Sequence, residues 1–264
     1  MPIYDISYTS LIFCFFLLVI PIFISRKIRL ELEKSTLEAV FRMSIQLFFA
    51  GLFLNFIFNL NNGLLNLAWV GLMIFFASYT AIKSADLNVK KLFVPIVISI
   101  AFSNLVILLY VNKFVINLEN LFDARYLIPI AGMLLGNALR GNVVGIGDFY
   151  NDIKRNENRY LYSLSIGAGR YEAVIPYLRK SLRAAIKPTL ANIYSIGIVS
   201  LPGMMTGQIL GGASPLIAIK YQITIMVAIY VSTLLSTTLS ILTSFGTAFD
   251  DYGLVNKELY EKSS

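Results

Sequence analysis

The chain has 264 residues and a net charge of +7, yet 57% of it is hydrophobic and only 14% is charged. Together with a mean hydropathy of +0.71, this lies well above the ~45–50% apolar usage of water-soluble domains and excludes a soluble fold. There is no histidine and a single cysteine, Cys14, so Cys/His zinc sites, haem-type ligation and a disulfide framework are excluded too.

The basic residues lie between apolar runs rather than on one soluble face, which argues for membrane orientation and against nucleic acid. The first run, Ile6 to Ser25, follows Asp5 and precedes Arg26, Lys27 and Arg29. A signal peptide carries its positive charge first, so this run reads as a retained span with the N-terminus outside. The uncharged stretch Met43 to Ile82 holds two spans of roughly 20 residues. Asn59-Leu60-Asn61-Asn62-Gly63 in its middle reads as the turn of an outer hairpin.

Lys83, Lys90 and Lys91 form an inner loop, Leu92 to Asn112 a fourth span, and Lys113 to Arg125 an outer loop. The fifth span runs from Tyr126 past Gly145, and the polar segment Asp148 to Lys187 is the strongest inside signal. Pro188 to Ile219 holds span six and the outer turn Gly211-Gly212-Ala213-Ser214-Pro215, and Tyr221 to Phe249 gives span seven. Only Lys113, Arg125 and Lys220 fall on the outer side. The expectation is an all-α, polytopic integral membrane protein with seven transmembrane helices, N-terminus outside and C-terminus cytoplasmic, forming one domain over residues 1–264. Helices are required because lipid offers the backbone no hydrogen bonds and the short alternating strands of a barrel are missing. No internal repeat divides the spans into inverted halves, which counts against a secondary transporter.

Small residues at four-residue spacing, Gly132 and Gly136 in span five and Gly203, Gly207 and Gly211 in span six, mark faces where helices pack closely. They serve packing within one subunit, a subunit interface or a pathway-lining seam. Polar residues inside spans are expensive, which makes Arg42, Gln46, Asn137, Gln208 and Gln222 candidates for a translocation pathway. Snorkelling by Arg42 and plain interhelical hydrogen bonds by the others are the structural alternatives. Met204 and Met205 suggest packing rather than a soft-metal site, and no metal site is assigned.

Between Asp148 and Lys187, apolar residues from Leu161 to Ile186 recur at near-helical spacing around Gly167-Ala168-Gly169. Two short amphipathic pieces joined by a glycine hinge result, fitted either to lie on anionic lipid or to project a helix for a partner protein. Gly136 to Gly141 has the glycine spacing of a phosphate loop, but Asn142-Val143 stand where Lys-Ser/Thr is required. Gly212-Ala213-Ser214 lacks any histidine base for a serine protease. No catalytic residue is assigned, and the chain is expected to bind no cofactor.

Ala124 to Ala138, Ser200-Leu-Pro-Gly-Met-Met-Thr-Gly-Gln-Ile-Leu210, Ser214-Pro215 and Tyr221-Gln222-Ile223 resemble the Fet-type (FetB-like) ABC transporter permeases. The similarity extends from Tyr4-Asp5-Ile6-Ser7 through Arg42 and Gln46 to span seven. It implies a permease subunit in the plasma membrane, of the bacterial inner-membrane type, present as a homodimer and linked to iron export or metal tolerance. ATP and Mg2+ would be handled by a separate ATP-binding subunit. Ile166-Gly167-Ala168 and Glu172-Ala173 match the family's inner-loop pattern, which implies coupling to that subunit through Gly167, Ala168, Glu172 and Ala173. Arg140 to Asp148 departs from the pattern, and no family role is carried onto Arg140.

The acidic residues near span ends, Asp5, Asp123, Asp148 and Asp250, all lie outside the apolar runs, so a chelated or neutral cargo fits better than a bare cation. An autonomous secondary transporter or channel, or a membrane scaffold whose basic loop recruits a cytoplasmic protein, are the readings from other classes.

Overall fold

The computed structural model describes residues 6–250 and 253–260. Tyr4 and Asp5, which open the N-terminal resemblance and flank the first predicted span, lie outside them. The described residues form ten α-helices and two short helical turns, with no strand. Six stretches are long and apolar enough to cross a membrane: Thr9–Ile28, Glu33–Leu60, Gly63–Ser84, Val89–Val115, Ala124–Arg155 and Pro215–Ala248. The chain divides into two compact units, Met1–Leu60 with Leu210–Gly212, and Asn61–Ile209 with Ala213–Ser264.

In the first unit, α1 (Tyr8–Phe16) and α2 (Val19–Ile28) together make up the first of these stretches, and α3 (Glu33–Leu60) is the second. The break at Leu17–Leu18 follows from Pro21. Its ring nitrogen has no hydrogen to give the Leu17 carbonyl, which instead accepts from Ile20 N–H at 3.2 Å. Arg26 and Lys27 end α2, where positive charge suits the helix dipole, and Arg29 closes it with a left-handed φ of 54°. α3 starts at Glu33, so Arg42 and Gln46 both ride inside one 28-residue helix, as expected of span two.

The second unit holds α4 (Gly63–Ser84), α5 (Val89–Tyr110, running into a π-turn at Val111–Val115), α6 (Ala124–Arg155), α7 (Glu157–Ser165), α8 (Arg170–Ser195), α9 (Gly203–Leu210) and α10 (Pro215–Ala248). The predicted hairpin turn is present. Asn62 Oδ1 caps α4 by accepting from Leu64 and Leu65 N–H, while Asn61 Oδ1 accepts from Ala124 N–H at 2.9 Å. Asn66 adds a 2.7 Å bond to the Phe122 carbonyl. These bonds join the starts of α4 and α6 at one end of the unit.

At the opposite end, Gly147 faces Ala85 after α4, and the C-terminal tail returns to the start of α5 through Asn88 N–H to Leu259 O (2.7 Å) and Lys91 to Glu258 (2.6 Å). α10 runs antiparallel to α5, with Ser232 bonded to Asn104 and Thr243 to Ser99. Pro215 therefore lies toward the Gly63 end and Ala248 toward the charged end.

Two expected boundaries shift. α6 continues to Arg155, so the first part of the predicted inner loop is helix, and α8 is a 26-residue helix rather than a short amphipathic piece. Span six is not one helix. α8 starts at the charged end, where Arg170 Nη2 donates to Asp250 O at 2.8 Å, and passes Gly145 at Ala185. The chain must then reach Pro215 at the far end, and it does so through the end of α8, a turn over 196–202, and α9. Gly197 at φ +89° and Pro202 interrupt what composition alone reads as one span.

Candidate functional site

α10 carries a buried polar row facing α5 and α6. Ser232, Ser236, Ser240 and Ser244, with Thr233 and Thr237, repeat at three- and four-residue spacing on one helical face, and all are nearly or fully buried. Asn142 Nδ2 on α6 donates to Ser236 Oγ at 3.1 Å and to Ala138 O at 2.7 Å. Ser232 Oγ donates to Asn104 Oδ1 at 3.0 Å, and the Tyr150 and Ser244 hydroxyls are bonded to each other. Asn142 Oδ1, Thr233 Oγ1, Thr237 Oγ1 and Ser240 Oγ are buried without a partner. Interhelical bonds of this type hold membrane helices together where burial of apolar surface supplies no driving force.

The closest approach between α6 and α10 runs along the same row. A Cβ on Gly141 would overlap Thr233 Cγ2, and one on Gly145 would overlap Thr237 Cγ2. Of the predicted packing glycines, Gly132 lies beside Met73 Cε of α4, while Gly136, Gly203 and Gly207 face open space within this unit. Gly211 sits in the turn after α9. Within the unit, the positions where a Cβ would overlap a neighbouring helix are thus Gly141 and Gly145.

The predicted glycine hinge falls between α7 and α8. Gly167 has φ +95° and open space around it, Glu172 is exposed in the first turn of α8, Ala168 is half-buried and Ala173 is buried. Tyr162, Ile166 and Tyr171 around this turn are each about two-thirds exposed, at 66, 67 and 65%. A knob of exposed apolar side chains therefore surrounds this turn at the charged end, with the Tyr171 ring also 5.6 Å from that of Phe245 on α10.

Beneath the knob the tail holds on. Tyr160 donates to Gly253 O at 2.7 Å, and Tyr260 donates to Tyr150 O at 2.9 Å under the ammonium of Lys154, 4.0 Å from its ring. Burial raises the Tyr160 hydroxyl above its ordinary range against the opposing pull of Arg170. Burial, with a smaller contribution from the Glu157 charge, lifts Tyr260 to about 12.

The predicted pathway residues are divided between the two units. Arg42 and Gln46 are exposed on α3 in the first unit. In the second unit Asn137 spends its amide on the Met133 carbonyl at 2.8 Å, a bond within its own helix. The side-chain oxygens of Gln208 on α9 and Gln222 on α10 are buried without partners. Met205 packs in the interior. Sequence reading missed the hydroxyl row of α10, although the four-residue recurrence of serine from 232 to 244 was its signal. It also missed the tail contacts, for which the sequence carries no periodic signal.

Comparison with known proteins adds to this geometry. Residues 8–249 match the family described as "Uncharacterised protein family (UPF0014)". The chain is 35% identical over 229 residues to the "Probable iron export permease protein FetB" of Escherichia coli (strain K12), covering 84% of each chain. It is 35% identical over 211 residues to the "Protein ALUMINUM SENSITIVE 3" of Arabidopsis thaliana, 79% of this chain and 75% of that one. The "UPF0014 membrane protein STAR2" of Oryza sativa subsp. japonica is 35% identical over 202 residues, 75% of this chain and 68% of that one. No solved structure matches it. Long apolar helices and a family match across nearly the whole chain agree: this is a multi-pass membrane protein belonging to the UPF0014 family.

Proposed function

We propose that the chain is the permease subunit of an ABC transporter that exports iron or a related metal, free or complexed, with ATP hydrolysed on a separate subunit. It works as a homodimer in the plasma membrane, crossing seven times with its N-terminus outside and C-terminus inside. Six crossings are the long apolar stretches, the first of them broken at Leu17–Leu18, and the seventh is the path of α8 and α9. The charged end, with Lys83, Lys90, Lys91, Lys154 and Arg155, faces the cytoplasm.

The observation that carries this reading is the exposed knob of Tyr162, Ile166 and Tyr171 around Gly167. Apolar side chains placed past the membrane on a basic surface fit a protein partner, because large aromatic anchors in a small cluster dominate such interfaces. The iron-export and aluminium-sensitivity names of two relatives support metal as the cargo class. In the cycle, closure of the ATP-bound partners pushes the 166–169 turn, α8 carries the push past Gly145, and the α6–α10 seam exchanges between two packings. The partner must bind one packing better than the other.

Co-purification with the candidate ATP-binding subunit tests the reading. Wild type retains that subunit, and Ile166→Asp weakens retention at least tenfold, the loss of one interface anchor worth roughly 1.4 kcal/mol or more. Equal retention by both contradicts the docking assignment.

A further inference from the structure

The seventh crossing breaks at a depth where every backbone group must be satisfied. Ala185 Cβ lies 3.3 Å from where Gly145 would carry a Cβ, and Gly147 faces Ala85, beside Lys83 and Asp86 at the charged end of α4. From Ala185 to Ser195 the helix rises about 15 Å, half of a hydrocarbon core roughly 30 Å thick. The turn over 196–202 is therefore near the middle of the bilayer.

Within that turn the Gly197 and Val199 N–H groups donate to Ser200 O (3.0 Å) and Ser195 O (2.9 Å). The carbonyls of Ile196, Gly197, Ile198 and Val199 accept no hydrogen bond among the described residues. Ile198 is 91% and Val199 80% exposed within one chain. Irregular backbone at this depth persists only where protein buries it or water reaches it. The negative end of the α8 dipole points into the same turn, and no charged side chain stands between Lys187 and Lys220 to offset it.

We infer that the break between α8 and α9 is a water-accessible site for a hard metal cation, with the backbone carbonyls of residues 196–199 as its oxygen ligands. The inference rests on the permease reading and deepens it. It supplies hard donors in the middle of the spans, whose carboxylates, such as Glu38 and Asp148, lie toward the span ends, so a bare or partly hydrated cation becomes an acceptable cargo. Unwound carbonyls and half-helix C-termini near the bilayer midplane are suited to holding a cation.

Cys14 is the single cysteine, so Cys14→Ser provides a thiol-free background. Ile198→Cys and Val199→Cys, introduced singly into the full chain in lipid vesicles, are treated on both sides with membrane-impermeant cationic or anionic methanethiosulfonates. Ile98→Cys, on the apolar exposed face of α5, is the lipid-facing control. Both test thiols should react roughly tenfold or more faster than the control, since only a hydrated thiol ionises readily. The cationic reagent should outpace the anionic one, and terbium(III), a hard trivalent probe excited through neighbouring Tyr194, should slow the reaction and luminesce. Rates equal to the control, a disulfide between copies in place of reagent labelling, preference for the anionic reagent, or no protection by terbium would each overturn the inference. None of these readouts needs nucleotide or flux, so failure here is distinct from failure of the permease reading.

Discussion

Gly145 on α6 lies so tightly beneath Thr237 of α10 that a Cβ there would overlap Thr237 Cγ2, and Ala185 Cβ of α8 stands 3.3 Å away on its other side. Three helices therefore meet at a position where hydrogen is the only side chain that fits. In the proposed cycle this is the contact through which movement of α8 reaches the α6–α10 seam.

Gly145→Ala forces apart two packed helices, and overpacking of this kind costs about 1–3 kcal/mol. Thermal unfolding in detergent should show a lowered Tm. Adding Thr237→Ser removes the obstructing methyl and should restore most of the loss. Gly136→Ala, at a position with open space, should leave Tm unchanged.

Gly167→Ala places a Cβ at φ +95°, a backbone conformation that side chains disfavour, in a turn with no neighbour to clash with. The chain should insert and fold normally while the turn changes its path. Stimulation of the partner's ATPase should fall in this variant and in Glu172→Ala. Normal coupling in both would contradict the coupling role of the turn.

Several features were legible in the residues. The Asn59 to Gly63 turn, the glycine hinge at 167–169 and the continuous apolar helices each rest on local chemistry, namely capping amides, positive-φ tolerance and hydropathy over a helix length. Helix ends were harder to place. Nothing local stops α6 at Asp148, because its last turns are amphipathic and covered by α8, so the helix runs on to Arg155. The interruption of span six depends on the backbone at Gly197, which hydropathy does not register. The α10 hydroxyl row gains meaning only when Gly141 and Gly145 are found opposite it.

Tyr260 joins the tail to α6 in its neutral form, and its folded-state pKa is raised to about 12 from an ordinary 10.0. A raised pKa means the folded chain favours the protonated phenol. The tail's contribution should be complete below about pH 10 and lost as pH climbs through about 12. Tm measured across this window should fall in wild type and fall less in Tyr260→Phe. An equal fall in both would assign the alkaline loss to other groups.

The division of labour between this chain and a nucleotide-hydrolysing partner is tested most directly by metal flux in reconstituted vesicles. The account predicts ATP-dependent movement of iron or its chelate when both subunits are present, and none with the purified chain alone. Rapid flux through vesicles containing this chain alone, with no nucleotide supplied, would contradict it.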